Sequence, residues 1–128
     1  MENSINDLII RIKNGYLAKK DTIVSPYSKF KEAVLKKLLD LKFIKSYKVD
    51  KDNFNEMTIE LLYQEGQSAL TDVKVFSTSG RRYYVSYREL KPVMSGYGFS
   101  IISSPQGIVT NKEARLKKLG GELLFNIW

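Results

Sequence analysis

Ile102-Ser103-Ser104-Pro105-Gln106-Gly107-Ile108-Val109-Thr110-Asn111-Lys112-Glu113-Ala114-Arg115, followed closely by Gly120-Gly121-Glu122-Leu123, is the most informative stretch of this chain. Phe99–Ser103 reads as a strand, and two adjacent hydroxyls lead from it into a Pro-x-Gly turn. Thr110 and Glu113 have the spacing of a capping box, in which a hydroxyl and a carboxylate each satisfy a free backbone amide. They open a short basic helix that runs through Lys118. Gly120-Gly121 is expected to stop that helix, and Glu122–Trp128 reads as a last strand. Strand, turn, helix and strand in so short a span place this end of the chain in the α+β class.

The rest of the chain extends the pattern upstream. Tyr83, Val85 and Tyr87 alternate within Arg82–Tyr87, so a strand is expected with these three turned inward and Tyr84 turned away. Val73 and Val75 begin another strand, Ser79-Gly80 breaks it, and Arg88–Tyr97, with Pro92 and Gly96, is irregular. Gln64–Thr71 is polar and contains Gly66, which marks a boundary between two lobes. In Glu56–Tyr63, Met57, Ile59, Leu61 and Tyr63 alternate with Thr58 and Glu60; the turn residues Asp50–Asn53 join this run to Ile44–Val49 as a hairpin. Ser28 caps a helix whose apolar stripe is Phe30, Val34, Leu35, Leu38 and Leu41. Thr22–Val24 is a short strand ended by Pro26. Ser4 and Asp7 start a first helix with Ile5, Leu8, Ile9, Ile12 and Tyr16 on one face. The expected fold is α+β in two small lobes: residues 1–64 arranged α-β-α-β-β, and residues 65–128 mostly β with a short helix.

Composition narrows the chemistry. The 128 residues include 21 Lys and Arg against 14 Asp and Glu, a net charge of +7. The halves carry +3 and +4, so the charge belongs to the folded body and not to a tail. Such a balance favours a polyanion, with nucleic acid ahead of an anionic membrane surface. Cys and His are both absent, which removes disulfides, Cys/His zinc sites, thiol nucleophiles and imidazole bases. No apolar run approaches the length of a membrane span, about 20 residues, and the N-terminal apolar residues are spaced rather than continuous. A soluble cytoplasmic protein without cofactor is expected. Ser103 or Ser104 with a lysine base would be the only nucleophile, and no Lys stands at a motif spacing from either, so no catalytic residue is assigned.

The same serines suit another task. Short hydroxyl side chains on a turn stiffened by Pro105 and opened by Gly107 can reach bases, riboses and phosphates at little entropic cost. An ordinary strand-to-helix turn would use the same residues. Arg81, Arg82, Tyr83, Tyr84, Tyr87 and Arg88 interleave cation and ring, a composition that suits stacking on unpaired bases. Lys29, Lys31, Lys36 and Lys37 decorate the second helix, and Arg11, Lys13 and Asn14 lie off the centre of the apolar face of the first.

Ser103-Ser104-Pro105-Gln106-Gly107, Thr110-Asn111-Lys112-Glu113-Ala114-Arg115 and Gly120-Gly121-Glu122-Leu123 together resemble the C-terminal signature of the bacterial small-subunit ribosomal protein S-eight family. Further matches are Asp7–Gly15, Ser28–Lys31, Gly80–Tyr84, Gly96-Tyr97-Gly98 and Trp128, in the family's order over nearly the whole chain. Ser104 stands where the family usually has Thr, Gln106 where Lys or Arg is usual, and Ser79 where Pro is usual. The resemblance implies a non-enzymatic constituent of the small ribosomal subunit, cytoplasmic within the ribosome. It further implies binding to the central domain of small-subunit rRNA, neighbouring ribosomal proteins as partners, and support of subunit assembly. Whether the protein's own messenger is also a ligand is left open. Carried over by position, the implied RNA-binding residues are Ser103, Ser104, Pro105, Gln106 and Gly107, with Tyr84, Glu122 and Arg82 beside them. Lys29, Lys31, Arg11, Lys13 and Asn14 are the implied contacts in the first half.

Overall fold

The computed structural model describes residues 4–50, 52, 56–78 and 80–128, apart from the side chain of Ser4. The turn read at Asp50–Asn53 and the break at Ser79 therefore fall partly outside the described residues, as does any capping role for the Ser4 side chain. The chain divides into two compact units, one of Asp7–Leu70 and one of the described residues up to Asn6 with Thr71–Trp128. The architecture is α+β: among the described residues the first half carries two long helices with its strands, and the second half is mostly strands with one short α-helix.

In the unit Asp7–Leu70, helix α1 (Ser4–Leu17) is followed by β1 (Thr22–Pro26), α2 (Lys29–Asp40), β2 (Ser46–Asp50) and β3 (Glu56–Glu60). The three strands form an antiparallel sheet in the order β1-β3-β2. Alternation decides which face is covered: Ile23 and Ser25 of β1 and Met57 and Ile59 of β3 are buried, and their neighbours are not. The apolar stripes Leu8, Ile9, Ile12 and Val34, Leu35, Leu38 are also buried. Each such side chain contributes on the order of 1.5–3 kcal/mol by leaving water. Gly15 lets α1 approach β1, since a Cβ there would lie 2.6 Å from Ile23 Cγ2. Tyr16 closes the core with one hydroxyl, which donates to the Phe43 carbonyl (2.6 Å) and accepts from the Leu62 amide (3.0 Å). Pro26 lies inside β1 instead of after it; β1 is an edge strand, where a missing N–H costs nothing. A two-stranded ribbon of β4 (Tyr63–Gln64) and β5 (Gln67–Ser68) follows.

Ser28 caps α2 by accepting from the Lys31 amide. Two residues of this helix depart from the sequence reading. Phe30 is 40% exposed, so it stands outside the apolar stripe. Lys31 is only 4% exposed; its ammonium donates to the Pro26 carbonyl at 3.2 Å. The first turn of α2 points this side chain back over the end of β1. Burial holds the Lys31 pKa below its ordinary 10.5; Asp7 acts in the opposite sense, and Arg11 adds to the lowering.

The second unit carries β6 (Val73–Val75), β7 (Tyr84–Val85), β8 (Phe99–Ser104), β9 (Gly107–Thr110), α3 (Asn111–Lys117) and β10 (Gly121–Ile127). The antiparallel sheet runs β6-β10-β8-β9, and β7 also pairs with β10. A register shift between Leu123 and Phe125 lets Leu123, Leu124 and Phe125 all be buried. Leu90, Ile102, Val109, Ala114 and Leu123 form the core cluster, with Phe76, Val85, Tyr87 and Leu119 packed against it. The capping box at α3 is formed as the sequence indicates: Thr110 accepts from the Glu113 amide and Glu113 from the Thr110 amide. Asn111 is buried and joins two segments, accepting from the Ser100 amide (3.1 Å) and donating to the Lys91 carbonyl (3.0 Å).

Two expectations for this unit are corrected and one strand is added. The stretch after the turn, which the sequence left unassigned, is a strand, β9, that pairs with β8. The run Arg82–Tyr87 contributes only Tyr84–Val85 to the sheet: after Val85, Ser86 and Glu89 cap a 3-10 turn at Tyr87–Glu89, and before Tyr84 the Tyr83 amide donates to the Ser77 hydroxyl. Tyr83, outside that strand, is 45% exposed and packs on Phe76 at 5.4 Å instead of entering the core. Lastly, α3 ends on Lys118, itself left-handed at φ 58°, before the glycine pair. The glycines serve strand packing: a Cβ on Gly121 would collide with the Ser103 carbonyl, and one on Gly120 would lie 2.8 Å from the Val85 carbonyl.

Gly121→Ala is therefore expected to force β10 and β8 apart and to lower stability by about 1–3 kcal/mol, read as a fall in melting temperature. An unchanged melt would show that the strands have room to give. Lys31→Met should be at least as stable as the parent at neutral pH, since a buried ammonium is exchanged for an apolar chain of similar length. The unfolded chain holds the Lys31 proton to higher pH than the folded one, so folding releases a proton between the lowered value and 10.5. The parent should thus gain on the variant as pH rises through that interval, and melts of both proteins at stepped pH check the sign.

Candidate nucleic-acid interface

The residues implied for RNA binding in the second unit are brought together by register. Glu122 of β10 lies opposite Tyr84 of β7 on one side and Ser103 of β8 on the other, and Ser103 lies opposite Ile108 of β9. Directly paired residues of antiparallel strands share a face. Tyr84, Glu122 and Ser103 thus form one lateral row across three strands. The next position along each pairing, Leu123, Ile102 and Val109, belongs to the core cluster on the opposite face. One face of the sheet holds the unit together and the other presents the row.

Beyond Ser103, the chain makes a tight hairpin. Ser104 pairs with Gly107, leaving Pro105-Gln106 as a two-residue connection. Pro105 supplies the fixed φ that such a turn needs at its first position, and Gly107 supplies φ 115° at its end. The two serines do different work. The Ser104 hydroxyl donates to the Gly107 carbonyl (2.8 Å) and accepts from the Gln106 amide (3.2 Å), so it braces the turn from inside. The Ser103 hydroxyl has no such partner among the described residues and stands half-buried in the row. Pro105, Gln106 and Gly107 are exposed at the tip.

The acid of the row is not isolated. Arg82 Nη1 donates to Glu122 Oε2 at 3.1 Å, with the Glu122 side chain 16% exposed and that of Arg82 36%. A largely covered carboxylate held by one guanidinium keeps a second oxygen for an incoming donor, and the guanidinium keeps further N–H groups for an acceptor. Tyr84 stands at the end of the row with 70% of its surface exposed, a ring open to stacking.

In the other unit, the implied contacts are distributed differently. Lys29 is exposed at the start of α2, and Lys31 is the buried residue described above. Arg11 is exposed but engaged, donating to Asp7 Oδ2 (2.9 Å) and to the Val24 carbonyl (3.2 Å). Asn14 is exposed on the same helix face and lines one shallow hollow with Arg11, Ala18 and Lys20. Lys13 is half-buried and not part of that hollow.

Sequence reasoning missed two buried polar residues that tie segments of this unit together. Ser77 is buried and hydrogen-bonded to the segments carrying Tyr84 and Glu122. Asn111 ties the start of α3 to β8. Both look like ordinary loop and cap residues in the sequence, and the only hint at Asn111 was its place after a capping threonine. Among the described residues no group of three or more His, Cys, Asp or Glu could hold a metal, and no helix is long and apolar enough to cross a membrane.

The family model described as "Ribosomal protein S8" matches residues 3–128. A "Small ribosomal subunit protein uS8" of Mycoplasmopsis synoviae is 39% identical over 130 aligned residues, covering 100% of this chain and 98% of that protein. Proteins of the same description from Bartonella tribocorum and Mycoplasmopsis agalactiae are 40% and 42% identical, covering 100% and 97% of this chain and 98% and 95% of their own lengths. A family model matched almost from end to end, with relatives this similar over the same span, places the chain in the ribosomal protein S8 family.

Proposed function

We propose that the protein is a non-enzymatic constituent of the small ribosomal subunit that binds the central domain of small-subunit rRNA and supports subunit assembly in the cytoplasm. The observation that carries this reading is the lateral row Tyr84–Glu122–Ser103 beside a braced hairpin tip. A ring, a held carboxylate and an unpaired hydroxyl at fixed spacing can distinguish one splayed or irregular RNA site from a regular duplex. The net charge of +7 supplies the sequence-tolerant attraction. Ser103, Tyr84 and Glu122 would read the RNA, and Pro105, Gln106 and Gly107 would lie against its backbone. Ser104 would act through the shape of the tip. Arg82, Lys29, Arg11, Lys13 and Asn14 would meet phosphate or ribose. Lys31 drops out of the proposed set, since its ammonium is committed to the Pro26 carbonyl. Neighbouring ribosomal proteins are the proposed protein partners. The protein's own messenger would be a ligand only where it presents the same local structure.

Three outcomes are expected. Affinity for a central-domain rRNA transcript should fall with potassium chloride with a log–log slope on the order of −3 to −6, as several phosphates are neutralised and their counterions released. A slope near zero would reject the electrostatic part. Ser103→Ala should cost roughly 1–3 kcal/mol for that transcript and leave binding to an unrelated duplex and the melting temperature nearly unchanged. Ser104→Ala should weaken the tip itself, and Ser104→Thr, which keeps the hydroxyl, should restore it. Equal loss of cognate and unrelated RNA in Ser103→Ala would remove readout from this row.

A further inference from the structure

Strand β7 is only two residues long, Tyr84–Val85, and pairs with β10 through Glu122 and Gly121 alone. So short a ladder does not hold an exposed tyrosine in register by itself. Something outside the ladder must fix Tyr84 against Glu122, and the structure shows what does.

Ser77 is 5% exposed. Its hydroxyl donates to the Leu123 carbonyl at 2.9 Å and accepts from the Tyr83 amide at 2.9 Å. Leu123 and Tyr83 are the immediate chain neighbours of Glu122 and Tyr84. The Leu123 amide in turn donates to the Tyr83 carbonyl at 2.8 Å. One buried hydroxyl thus closes a ring of hydrogen bonds that joins the strand carrying the acid to the segment carrying the ring. The hydroxyl has no rotational freedom left, because its single proton and an acceptor site are both used. Ser77 is itself held: its amide donates towards the Leu124 carbonyl at 3.4 Å, and its carbonyl accepts from Asn6 Nδ2 at 3.0 Å.

We infer that Ser77 is a positioning residue for RNA readout, a buried latch that sets the register of Tyr84 on Glu122 without touching the ligand. The inference rests on the reading of the row given above. Loss of the hydroxyl leaves the part-buried Tyr83 amide and the buried Leu123 carbonyl without this partner, and the Tyr83–Tyr84 segment is then free to shift on β10.

The test uses the full chain with Ser77→Ala, Ser77→Thr, Tyr84→Ala and the double variant Ser77→Ala/Tyr84→Ala. Each is titrated against a central-domain rRNA transcript and an unrelated duplex, with amide hydrogen exchange measured on the free proteins. Ser77→Ala should weaken the cognate transcript roughly tenfold and the duplex less than about twofold. Exchange at the Tyr83 and Leu123 amides should rise. Ser77→Thr, which keeps the oxygen and its proton, should return both readouts most of the way. In the Ser77→Ala background, Tyr84→Ala should cost much less than in the parent, since a misplaced ring has little left to lose. If Ser77→Ala gives no cooperative melt, Ser77→Cys, a weaker donor and acceptor of similar size, takes its place with a graded effect expected. Cognate binding as strong as the parent's, equal losses on both RNAs, or full additivity with Tyr84→Ala would overturn the latch. If Tyr84→Ala weakens cognate binding and Ser77→Ala does not, the latch alone fails. If Tyr84→Ala itself has no effect on cognate binding, the row reading fails and the latch falls with it.

Discussion

The approach of β10 to β8 at Gly121 is the constraint on which the second unit depends. The Ser103 carbonyl occupies the space a Cβ would need there. Because that space is free of side chain, β10 can pair with β8 on one side and with β6 and β7 on the other. Its alternation then sends Leu123 into the core and Glu122 to the opposite face. Core and candidate interface are two faces of one strand, and both depend on the same close contact. Glycine is costly in a strand on conformational grounds, so its presence at this position records a steric demand and not a turn.

That difference explains much of what the sequence did and did not disclose. Glycines after a basic helix have the usual look of a helix stop, and only the position of the neighbouring strand shows their other use. Where the signal is local, the reading holds: the caps at Ser28 and Thr110, the stripe Val34–Leu35–Leu38 and the alternation of Met57 and Ile59 depend on spacing within one element. Where burial is decided by a distant segment, it does not. Tyr83 alternates with Val85 yet falls just before the strand, where its amide donates to the Ser77 hydroxyl. Lys31 looks like surface charge, but the end of β1 offers its ammonium a carbonyl. Strand β9 consists of few apolar residues between a turn and a cap, and its identity lies in its pairing with β8.

The candidate site shows the same division. The hydroxyl pair, Pro105 and Gly107 stand out in the sequence as a stiff, approachable turn. The adjacency of Tyr84 and Glu122 to that turn came from the family resemblance, and the register supplies its physical reason. The separation of the serines into a brace and an open hydroxyl was not legible, because only the hairpin geometry gives Ser104 its backbone partners and leaves Ser103 in the row. Ser77 was hidden altogether, since a serine's burial leaves no trace in local pattern.

The brace within the hairpin has a consequence for time rather than for strength. A tip whose turn hydroxyl is already bonded to its own backbone has little ordering left to do when a ligand arrives. For the RNA contact proposed here, encounter would then be governed by the charge spread over both units, and residence by the row. Ionic strength would act chiefly on how fast complexes form, and changes to Tyr84, Glu122 or Ser103 on how long they last. A constituent with that division of labour could sample many RNA sites quickly during assembly and dwell only where the local shape fits.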